Sequence, residues 1–343
     1  MRLVTDSFPF TPPASRGDPV IPLVVILGPT ASGKSALAVR VAQQFSGEVM
    51  TCDSTQVYRG FDIGTAKPAP TERGGIPHHL MDLAEPADLF TAGEYRRRAL
   101  ALLGDLKRRG RLPILTAGTG LYLRALLEGL AEAPERSEEL RARLVATAAR
   151  RGHAHLHRLL RRLDPPSAAR ISPNDTQKLI RALEVCLIAG RPLSEVHHAG
   201  REPLQGYRPI KIGLHPPREL LHERIGQRVH EMLERGWLAE VAALIERGTP
   251  ASAKAFEFIG YRELRGHLQG QKPLEEAVQA ITVATRQYAK RQMTWFRREP
   301  GVTWLSGFGD DPEIVGAVLK LLEEKLRGSP RETSGRPEIS DQV

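Results

Sequence analysis

The stretch GPTASGKS, residues 28–35, carries the clearest chemical signal in the chain. It fits the pattern G-x-x-x-x-G-K-[ST], whose backbone amides cradle the oxygens of a diphosphate. Lys34 adds a mobile positive charge, and the hydroxyl of Ser35 is placed to ligate Mg²⁺. The pattern predicts a phosphate site, but by itself it does not distinguish a nucleoside triphosphate from any other diphosphate.

Asp53 lies in the second candidate segment, CDSTQVYRGFDIGTAKP. A carboxylate that follows a strand can be a general base, a metal ligand or a helix cap, and the position alone leaves all three roles open. The long loop after it contains two glycines and Lys67, and we expect this loop to lie over the site. Asp53 is therefore a candidate for the chemistry that accompanies phosphate binding.

A second glycine-rich turn, AGTGLY at residues 117–122, follows another apolar segment. The hydroxyl of Thr119 could hydrogen-bond a ligand in this turn. Tyr122 could stack on a ligand or pack in the core, and the sequence favours the structural role for this turn. The turn is a weaker candidate than the two segments before it.

The segment TRQYAKRQMTWFRR is a candidate basic helix near the end of the chain. At about 100° per residue, Arg286, Lys290 and Arg297 share one face of this helix. Arg291 and Arg298 lie in the adjacent row, and aromatic residues interleave with both rows. Such a face suits a nucleic-acid backbone or a pyrophosphate, and the alternative is a charged face exposed to solvent.

Short apolar segments precede these motifs and predict the strands that position them. They are residues 22–27, 48–52, 112–117 and 209–214, with a last strand expected at 302–305. Helices are expected between the strands and at 217–235, 237–247 and 274–296. Alternating strands and helices indicate an α/β fold, a P-loop NTPase-like, doubly wound parallel sheet. Ligands of such sheets bind at the carboxyl ends of the strands, so the motifs should converge on one site.

The region from about residue 131 to 200 differs from the rest, because it is rich in Arg and His, periodic in Leu and poor in strand signals. We interpret it as a helical insertion domain. The family resemblance given below implies that this domain contacts tRNA. Asn174 or Ser172 is the expected N-cap of one of its helices. The remaining predicted parts are a flexible leader at 1–20, the core at 21–130 and 201–326, and a disordered tail at 327–343.

The composition is that of a globular protein with an excess of positive charge. Among 343 residues, 49 Lys and Arg against 40 Asp and Glu give a net charge of +9, which points weakly to a polyanionic partner. No apolar segment approaches the roughly 18 residues of a membrane helix, and the first residues lack the core of a signal peptide. We therefore expect a cytoplasmic protein. Cys52 and Cys186 have no zinc-site spacing and are expected to be buried, inert thiols.

Taken together and in this order, the motifs resemble those of the tRNA dimethylallyltransferase (tRNA isopentenyltransferase) family. The resemblance extends from about residue 23 to 305 and rests on GPTASGKS, DSTQVYRGFDIGTAKP, IPHHLMDL, PILTAGTGLYL, LDPPSAARISPNDTQKLIRALEV, RVHEMLERG, FIGYREL and TRQYAKRQMTWFRR. It implies transfer of a dimethylallyl group from dimethylallyl diphosphate to N6 of adenosine at position 37 of tRNA. It also implies release of diphosphate, Mg²⁺ as the cofactor, and action as a monomer.

The resemblance implies roles for individual residues. Asp53 is the expected base for the adenosine amine, and Lys34 and Thr30 are the expected catalytic partners at the leaving diphosphate. The implied diphosphate site is Gly28, Pro29, Thr30, Ala31, Ser32, Gly33, Lys34, Ser35 and Arg228, with Ser35 also the metal ligand. The implied tRNA site is Asp53, Ser54, Thr55, Gln56, Thr119, Gln177, Lys178, Leu179, Ile180, Arg181, Arg286, Lys290 and Arg291. The target base must leave its stack to reach this site.

Three positions depart from the family pattern. Ala117 stands where the family usually has Gly, and Phe258 stands where polar or small residues are common. Lys178 stands where the family usually has Arg, so the charge is kept while the bidentate fork is lost.

Other functions share some of these features. A small-molecule kinase or NTPase would use the phosphate loop and Asp53 but would leave the basic helix and the insertion unexplained. A non-catalytic tRNA-binding module would retain the loop as a relic. Transfer to free AMP, ADP or ATP would need neither the insertion nor the basic helix, because a mononucleotide does not require such a surface.

Overall fold

The computed structural model describes residues 20–131, 133–198 and 200–327 of the chain. These residues form two compact units, one built from 20–123 and 206–327 and the other from 124–205. The second unit is wider at both ends than the 131–200 insertion that the sequence suggested. The predicted leader and tail lie, except for residues 20 and 327, outside the described residues.

Six strands form one sheet in the larger unit. Their bounds are β1 Ile21–Leu27, β2 Gly47–Cys52, β3 His78–His79, β4 Leu112–Ala117, β5 Tyr207–Leu214 and β6 Val302–Leu305. The order across the sheet is β3-β2-β4-β1-β5-β6, and every neighbouring pair is parallel. The predicted parallel sheet is confirmed. β3 was not predicted, because a two-residue strand shows no periodicity.

Helices connect the strands and build the smaller unit. Their bounds are α1 Lys34–Gln44, α2 Ala92–Arg108, α3 Gly120–Glu128, α4 Glu138–Arg151, α5 His153–Leu163, α6 Pro165–Arg170, α7 Thr176–Ala189, α8 Leu193–His198, α9 Arg218–Glu234, α10 Trp237–Glu246, α11 Tyr261–Leu268, α12 Leu274–Phe296 and α13 Pro312–Arg327. The predicted helices at 217–235, 237–247 and 274–296 correspond to α9, α10 and α12. No helix among the described residues is long and apolar enough to cross a membrane.

The core of the larger unit explains why β1 is apolar throughout. β1 lies inside the sheet, and all of its residues are buried because helices cover both faces. On one face, α1 and α13 pack together over the sheet, and Val318 and Leu322 of α13 are fully buried. The predicted burial of Cys52 is confirmed, and burial raises the pKa of its thiol to about 12.

The smaller unit is helical and has a core of its own, formed mainly by α4, α5 and α7. The N-cap of α7 is Asp175, whose side chain accepts a hydrogen bond from Lys178 N at 3.2 Å. The predicted caps were therefore wrong. Ser172 Oγ instead accepts from Asn174 N at 3.3 Å, and Asp is an equally favourable N-cap residue. The predicted burial of Cys186 is confirmed.

Candidate active site

The phosphate loop connects the end of β1 to the start of α1. Gly33, directly before α1, has a φ of 85°, a left-handed conformation that favours glycine. The first-turn amides of a helix lack partners within the helix, so the start of α1 is suited to bind an anion. Ser32 Oγ is buried and has no hydrogen-bond partner among the described residues. A buried hydroxyl without a partner indicates that a ligand satisfies it.

Lys34 folds back over the loop that precedes it. Its Nζ donates to the carbonyl oxygens of Gly28 at 2.9 Å and Pro29 at 2.7 Å. Burial lowers the pKa of Lys34 to about 7; Asp53 opposes this shift, while Arg228 adds to it. Lys34 is therefore a cation whose charge costs energy in the free protein and would be stabilised by an incoming diphosphate.

Asp53 follows β2 and lies in a tight turn. Its Oδ1 accepts hydrogen bonds from Thr55 N at 2.8 Å and Thr55 Oγ1 at 2.7 Å. The helix-cap alternative is wrong, because residues 54–57 form turns and no helix begins there. A Cβ atom at position 118 would lie 2.3 Å from Asp53 Oδ2. Only glycine at this position leaves room for that oxygen. One carboxylate oxygen is thus anchored and the other lies against the turn after β4.

Thr119 joins the two turns that follow β2 and β4. Its Oγ1 accepts from Ser54 N at 3.0 Å and donates to Ser54 Oγ at 3.2 Å. The hydroxyl is therefore engaged with protein rather than presented to the cleft. Tyr122 is buried and stacks on Tyr95 with ring centroids 4.6 Å apart, which supports the packing role for that residue.

One cleft of about 890 Å³ in the larger unit contains most of the predicted site. The predicted residues that line it are Thr30, Ala31, Ser32, Gly33, Lys34, Ser35, Asp53, Ser54, Thr55, Gln56, Arg228 and Arg291. Those that do not line it, although they belong to the same unit, are Gly28, Pro29, Thr119, Arg286 and Lys290. The phosphate loop, the Asp53 turn and two helices, α9 and α12, therefore face one another across this space.

Gln56 and Lys67 hold the long loop that forms one wall of the cleft. Gln56 Nε2 donates to the carbonyl oxygens of Thr65 at 2.9 Å and Ala66 at 3.1 Å. Lys67 is buried, and its Nζ bonds Tyr58 O, Asp62 Oδ1 and Asp82 Oδ1. Residues 64–66 line the cleft, as expected for a loop over the site. Gln56 thus has a structural role in addition to any ligand contact.

Arg228 of α9 lines the same cleft as the phosphate loop. Burial lowers the pKa of its guanidinium, and nearby Arg224 lowers it further. Both arginines line the cleft, but Arg224 is already paired with Asp310 through Nη1 at 2.8 Å and Nη2 at 2.5 Å. Arg228 is thus the stronger candidate to meet an anion.

The segment after β6 braces the phosphate loop. Gly309 N donates to Ser32 O at 2.8 Å. A methyl group on Gly33 would lie 2.5 Å from Asp310 Oδ1, so the two segments are in close contact. Sequence reasoning missed this brace, because residues 306–311 show neither a motif nor a periodic pattern.

The predicted basic face of α12 is only partly formed. The last helical residue is Phe296; Arg297, its C-cap, keeps helical backbone angles, and Arg298 follows it. Arg286 is half-buried against α9, and its Nη2 donates to His222 O at 3.3 Å. Lys290 and Arg291 are the exposed cations within the helix itself and are available to a polyanion.

Gln292 is a site residue that sequence reasoning missed. It is buried on α12, on the same face as Ala289 and Met293. It contacts the phosphate loop and the turn after β4. A polar residue on the apolar face of an amphipathic helix is a signal that could have revealed it. Tyr288, one turn earlier, donates from its hydroxyl to Gly118 O at 3.3 Å.

Residues 177–181 lie in α7 of the smaller unit. Gln177 and Lys178 are exposed, whereas Leu179 and Ile180 are buried in the core of that unit. The side chains of Leu179 and Ile180 are used for packing on the inner face of α7, and the contact of this segment with tRNA stays a prediction. Arg181 bonds Glu184 at 2.7 Å and Pro134 O at 3.1 Å.

The groups that could hold Mg²⁺ supply oxygen and no sulfur or nitrogen. Ser35 is exposed at the second position of α1 and lines the cleft. No cluster of three or more His, Cys, Asp or Glu side chains in the described residues is placed to hold a metal. Mg²⁺ prefers oxygen ligands and is commonly bound by one protein group together with phosphates, so Ser35 fits such a partial site.

Comparisons with known proteins find relatives that match most of the chain. A family model described as IPP transferase matches residues 56–299. A tRNA dimethylallyltransferase from Solibacter usitatus is 54% identical over 306 residues, which are 89% of this chain and 99% of the relative. The chain belongs to the IPP transferase family.

Solved structures related to this chain have the same fold. The full-length tRNA isopentenylpyrophosphate transferase of Bacillus halodurans is 37% identical, with a TM-score of 0.66 over 89% of this chain and 97% of that one. A eukaryotic dimethylallyltransferase solved while acting on tRNA is 27% identical, with a TM-score of 0.78 over 92% of this chain and 81% of that one. The expected P-loop NTPase-like fold is confirmed.

Proposed function

We propose that the protein transfers the dimethylallyl group of dimethylallyl diphosphate to N6 of adenosine at position 37 of tRNA and releases diphosphate. The observation that carries this proposal is the sharing of one cleft by the phosphate loop and Asp53. The names of the relatives, tRNA dimethylallyltransferase, supply the acceptor and the transferred group. We also propose that it works as a monomer and in the cytoplasm, where it would meet tRNA.

The leaving diphosphate would occupy the phosphate loop. As the bond between C1 of the allylic group and oxygen breaks, negative charge grows on the diphosphate. Lys34, the first-turn amides of α1 and the hydroxyl of Ser32 can stabilise that charge, and Arg228 can do so from α9. Mg²⁺, held by Ser35 and the diphosphate, would supply further electrostatic stabilisation of the leaving group.

Thr30 would contribute to this site through its side chain rather than its backbone. Its N–H donates to Gln292 Oε1 at 2.8 Å, so this amide is not free for a phosphate oxygen. Thr30 also lines the cleft, which leaves its side chain as the group that could reach the substrate. The catalytic role proposed for Thr30 therefore belongs to its hydroxyl.

Asp53 would accept the proton of the adenosine amine. The exocyclic amine is a weak nucleophile because its lone pair is delocalised into the ring. As the new bond from N6 to C1 forms, a carboxylate within hydrogen-bond reach can take the proton that the amine must lose. Asp53 Oδ1 is occupied by Thr55, so Oδ2 is the oxygen proposed to receive it.

The apolar part of the cleft suits the dimethylallyl tail. Val229, Met232, Trp237, Phe258 and Ile281 line it beside the charged groups. A nucleotide kinase would have no use for such a wall at the group that is transferred, whereas a five-carbon allylic chain gains from its burial there. Phe258, which departs from the family pattern, adds to this wall and packs against Tyr58 at 5.6 Å between ring centroids.

The first test is direct detection of product. The protein is incubated with Mg²⁺, dimethylallyl diphosphate and unmodified tRNA that has adenosine at position 37, and digested tRNA is analysed by mass spectrometry. Parallel reactions replace tRNA with AMP or ATP. We expect prenylated adenosine from tRNA alone. ATP hydrolysis without prenylated product would contradict the proposal and favour a kinase or NTPase.

The same assay tests the role of Asp53. Asp53→Asn keeps an oxygen that can accept from Thr55 but removes the basic carboxylate. We expect kcat to fall by about 10²–10⁴ while the affinity for tRNA stays close to that of the wild type. Asp53→Ala, which also removes the anchor to Thr55, should be at least as damaging. A wild-type kcat in Asp53→Asn would exclude Asp53 as the base.

A further inference from the structure

The side-chain amide of Gln292 connects two segments that line the cleft. Gln292 is 6% exposed, and both of its polar atoms are used. Its Oε1 accepts from Thr30 N at 2.8 Å, and its Nε2 donates to Gly118 O at 2.8 Å. The two partners belong to different segments, the phosphate loop and the turn after β4, and Gln292 comes from a third, α12.

Each partner of Gln292 touches one half of the proposed reaction. Thr30 is part of the loop that would hold the leaving diphosphate. Gly118 is in close contact with Asp53, since a side chain at position 118 would lie 2.3 Å from Asp53 Oδ2. Gly118 N also donates to Cys52 O at 3.0 Å, the residue directly before Asp53. A displacement of Gly118 would therefore displace the proposed base.

We infer that Gln292 is a positioning residue that sets the distance between the phosphate loop and Asp53. The inference rests on the proposed function, because the two halves of that reaction are what the amide connects. Displacement at C1 requires the departing oxygen and the attacking amine to be aligned, and the base must be within reach of that amine. A misplacement of about 1 Å can reduce such a rate by about 10²-fold.

No other amino acid reproduces both hydrogen bonds of Gln292 at every pH. The hydrogen bond from Thr30 requires an acceptor, the bond to Gly118 requires a donor, and both must stand on one buried side chain. Asn is shorter by one methylene, and Leu has neither group. Glu keeps the acceptor, but it has a donor only when its carboxyl group is protonated.

The first experiment compares Gln292→Leu with Gln279→Leu, a control at an exposed position of the same helix. We expect Gln292→Leu to lower kcat by about 10²-fold, with KM for dimethylallyl diphosphate and for tRNA within about threefold of wild type. The control should match the wild type. A wild-type kcat per folded Gln292→Leu molecule would overturn the inference and leave Gln292 as packing only.

The second experiment uses Gln292→Glu and remains informative if the Leu variant does not fold. The ionisable groups that line the same cleft are Lys34, Asp53, Glu72, Arg224, Arg228, Glu231, Arg235, Glu257, Tyr288 and Arg291. Because all of them are present in the wild type as well, the quantity to measure is the ratio of variant to wild-type kcat. The protonated carboxyl can reproduce both hydrogen bonds, whereas the carboxylate repels Gly118 O.

We expect this ratio to be near one at low pH and to fall at least tenfold as pH rises through the pKa of the buried carboxyl group, which burial shifts upward. A ratio that does not change with pH would overturn the inference. Failure of the proposed function is seen separately, because the wild type itself would then give no prenylated adenosine.

Discussion

At the scale of single residues, the phosphate loop contains two polar groups, the Lys34 ammonium and the Ser32 hydroxyl, that are poorly satisfied in the free protein. Lys34 is bonded to two carbonyl oxygens, and Ser32 Oγ is buried without a partner among the described residues. Neither arrangement is costly once a diphosphate is present, because its oxygens supply acceptors and its charge stabilises the ammonium group. The free protein is therefore prepared for an anion at the expense of its own stability.

The pKa of Lys34 makes a prediction about protons. In the free protein it is lowered to about 7 by burial, so much of Lys34 is neutral at about pH 8. A bound diphosphate favours the charged form and raises the pKa, so binding should take up a proton above pH 7 and weaken as pH rises further. Below pH 7 the lysine is already charged and uptake should vanish.

Titration calorimetry with inorganic diphosphate, in two buffers of different ionisation enthalpy, measures this uptake. Because diphosphate itself titrates nearby, Lys34→Met provides the baseline. We expect the wild type to take up more protons than the variant at pH 8 and the same number at pH 6. Equal uptake at pH 8 would show that Lys34 is already charged in the free protein.

At the scale of elements, the site depends on how closely the turns after β2 and β4 approach each other. Parallel neighbours in register place Asp53 and Gly118 side by side, since Cys52 pairs with Ala117. Thr119 fastens the two turns through Ser54 N at 3.0 Å. Ala117, where the family usually has glycine, is buried within β4. An extra methyl group is tolerated there but not one residue later.

We expect Gly118→Ala to lower kcat by tenfold or more, because its methyl group would lie 2.3 Å from Asp53 Oδ2. The matched control is Gly104→Ala in α2, where the new methyl group would meet only Arg108 Nη1 at 3.9 Å. The control should keep its activity and raise the free energy of unfolding by up to about 1 kcal/mol, because Ala favours a helix. Activity per folded molecule and chemical denaturation check both. Equal activity in the two variants would mean that Asp53 can shift without loss.

The strands and long helices were predictable because each has a local pattern. β1 and β4 are short, mostly apolar segments, and α12 repeats its apolar residues every three to four positions. Gln292 and the brace at Gly309 were not predictable in the same way. Their partners lie far away in the chain, 262 residues in the case of Thr30, and no local pattern encodes such a contact. Motifs gave the chemistry of the loop, while packing decided which atoms complete it.

At the scale of the whole molecule, part of the excess positive charge lies beside the cleft. The net charge is +9, and Lys290 and Arg291 are exposed on the helix that also forms the cleft. Arg286 is half-buried and bonded to His222 O, so it contributes to the packing of α12 on α9. The two exposed cations are therefore the ones to test against a polyanion.

We expect replacing Lys290 and Arg291 together by Gln to weaken tRNA binding and to reduce the slope of log Kd against log salt by about 1–2. A control pair, Lys107 and Arg108, lies at the end of α2 next to the amino end of β4, opposite the cleft. Its replacement should leave the slope unchanged. Binding measured over a range of salt checks both, and identical slopes for the two pairs would place tRNA elsewhere.

The brace on the phosphate loop also fixes when the protein can first act. A ribosome synthesises residues 28–35 long before Gln292 and Gly309, which bond Thr30 and Ser32. Until those late residues emerge, β1 and α1 can form but the loop lacks both supports. A nascent chain that stops before residue 292 therefore contains the phosphate-loop sequence but lacks the contacts that support the loop. We therefore expect activity only after residues 292 and 309 have been synthesised and have folded against the phosphate loop.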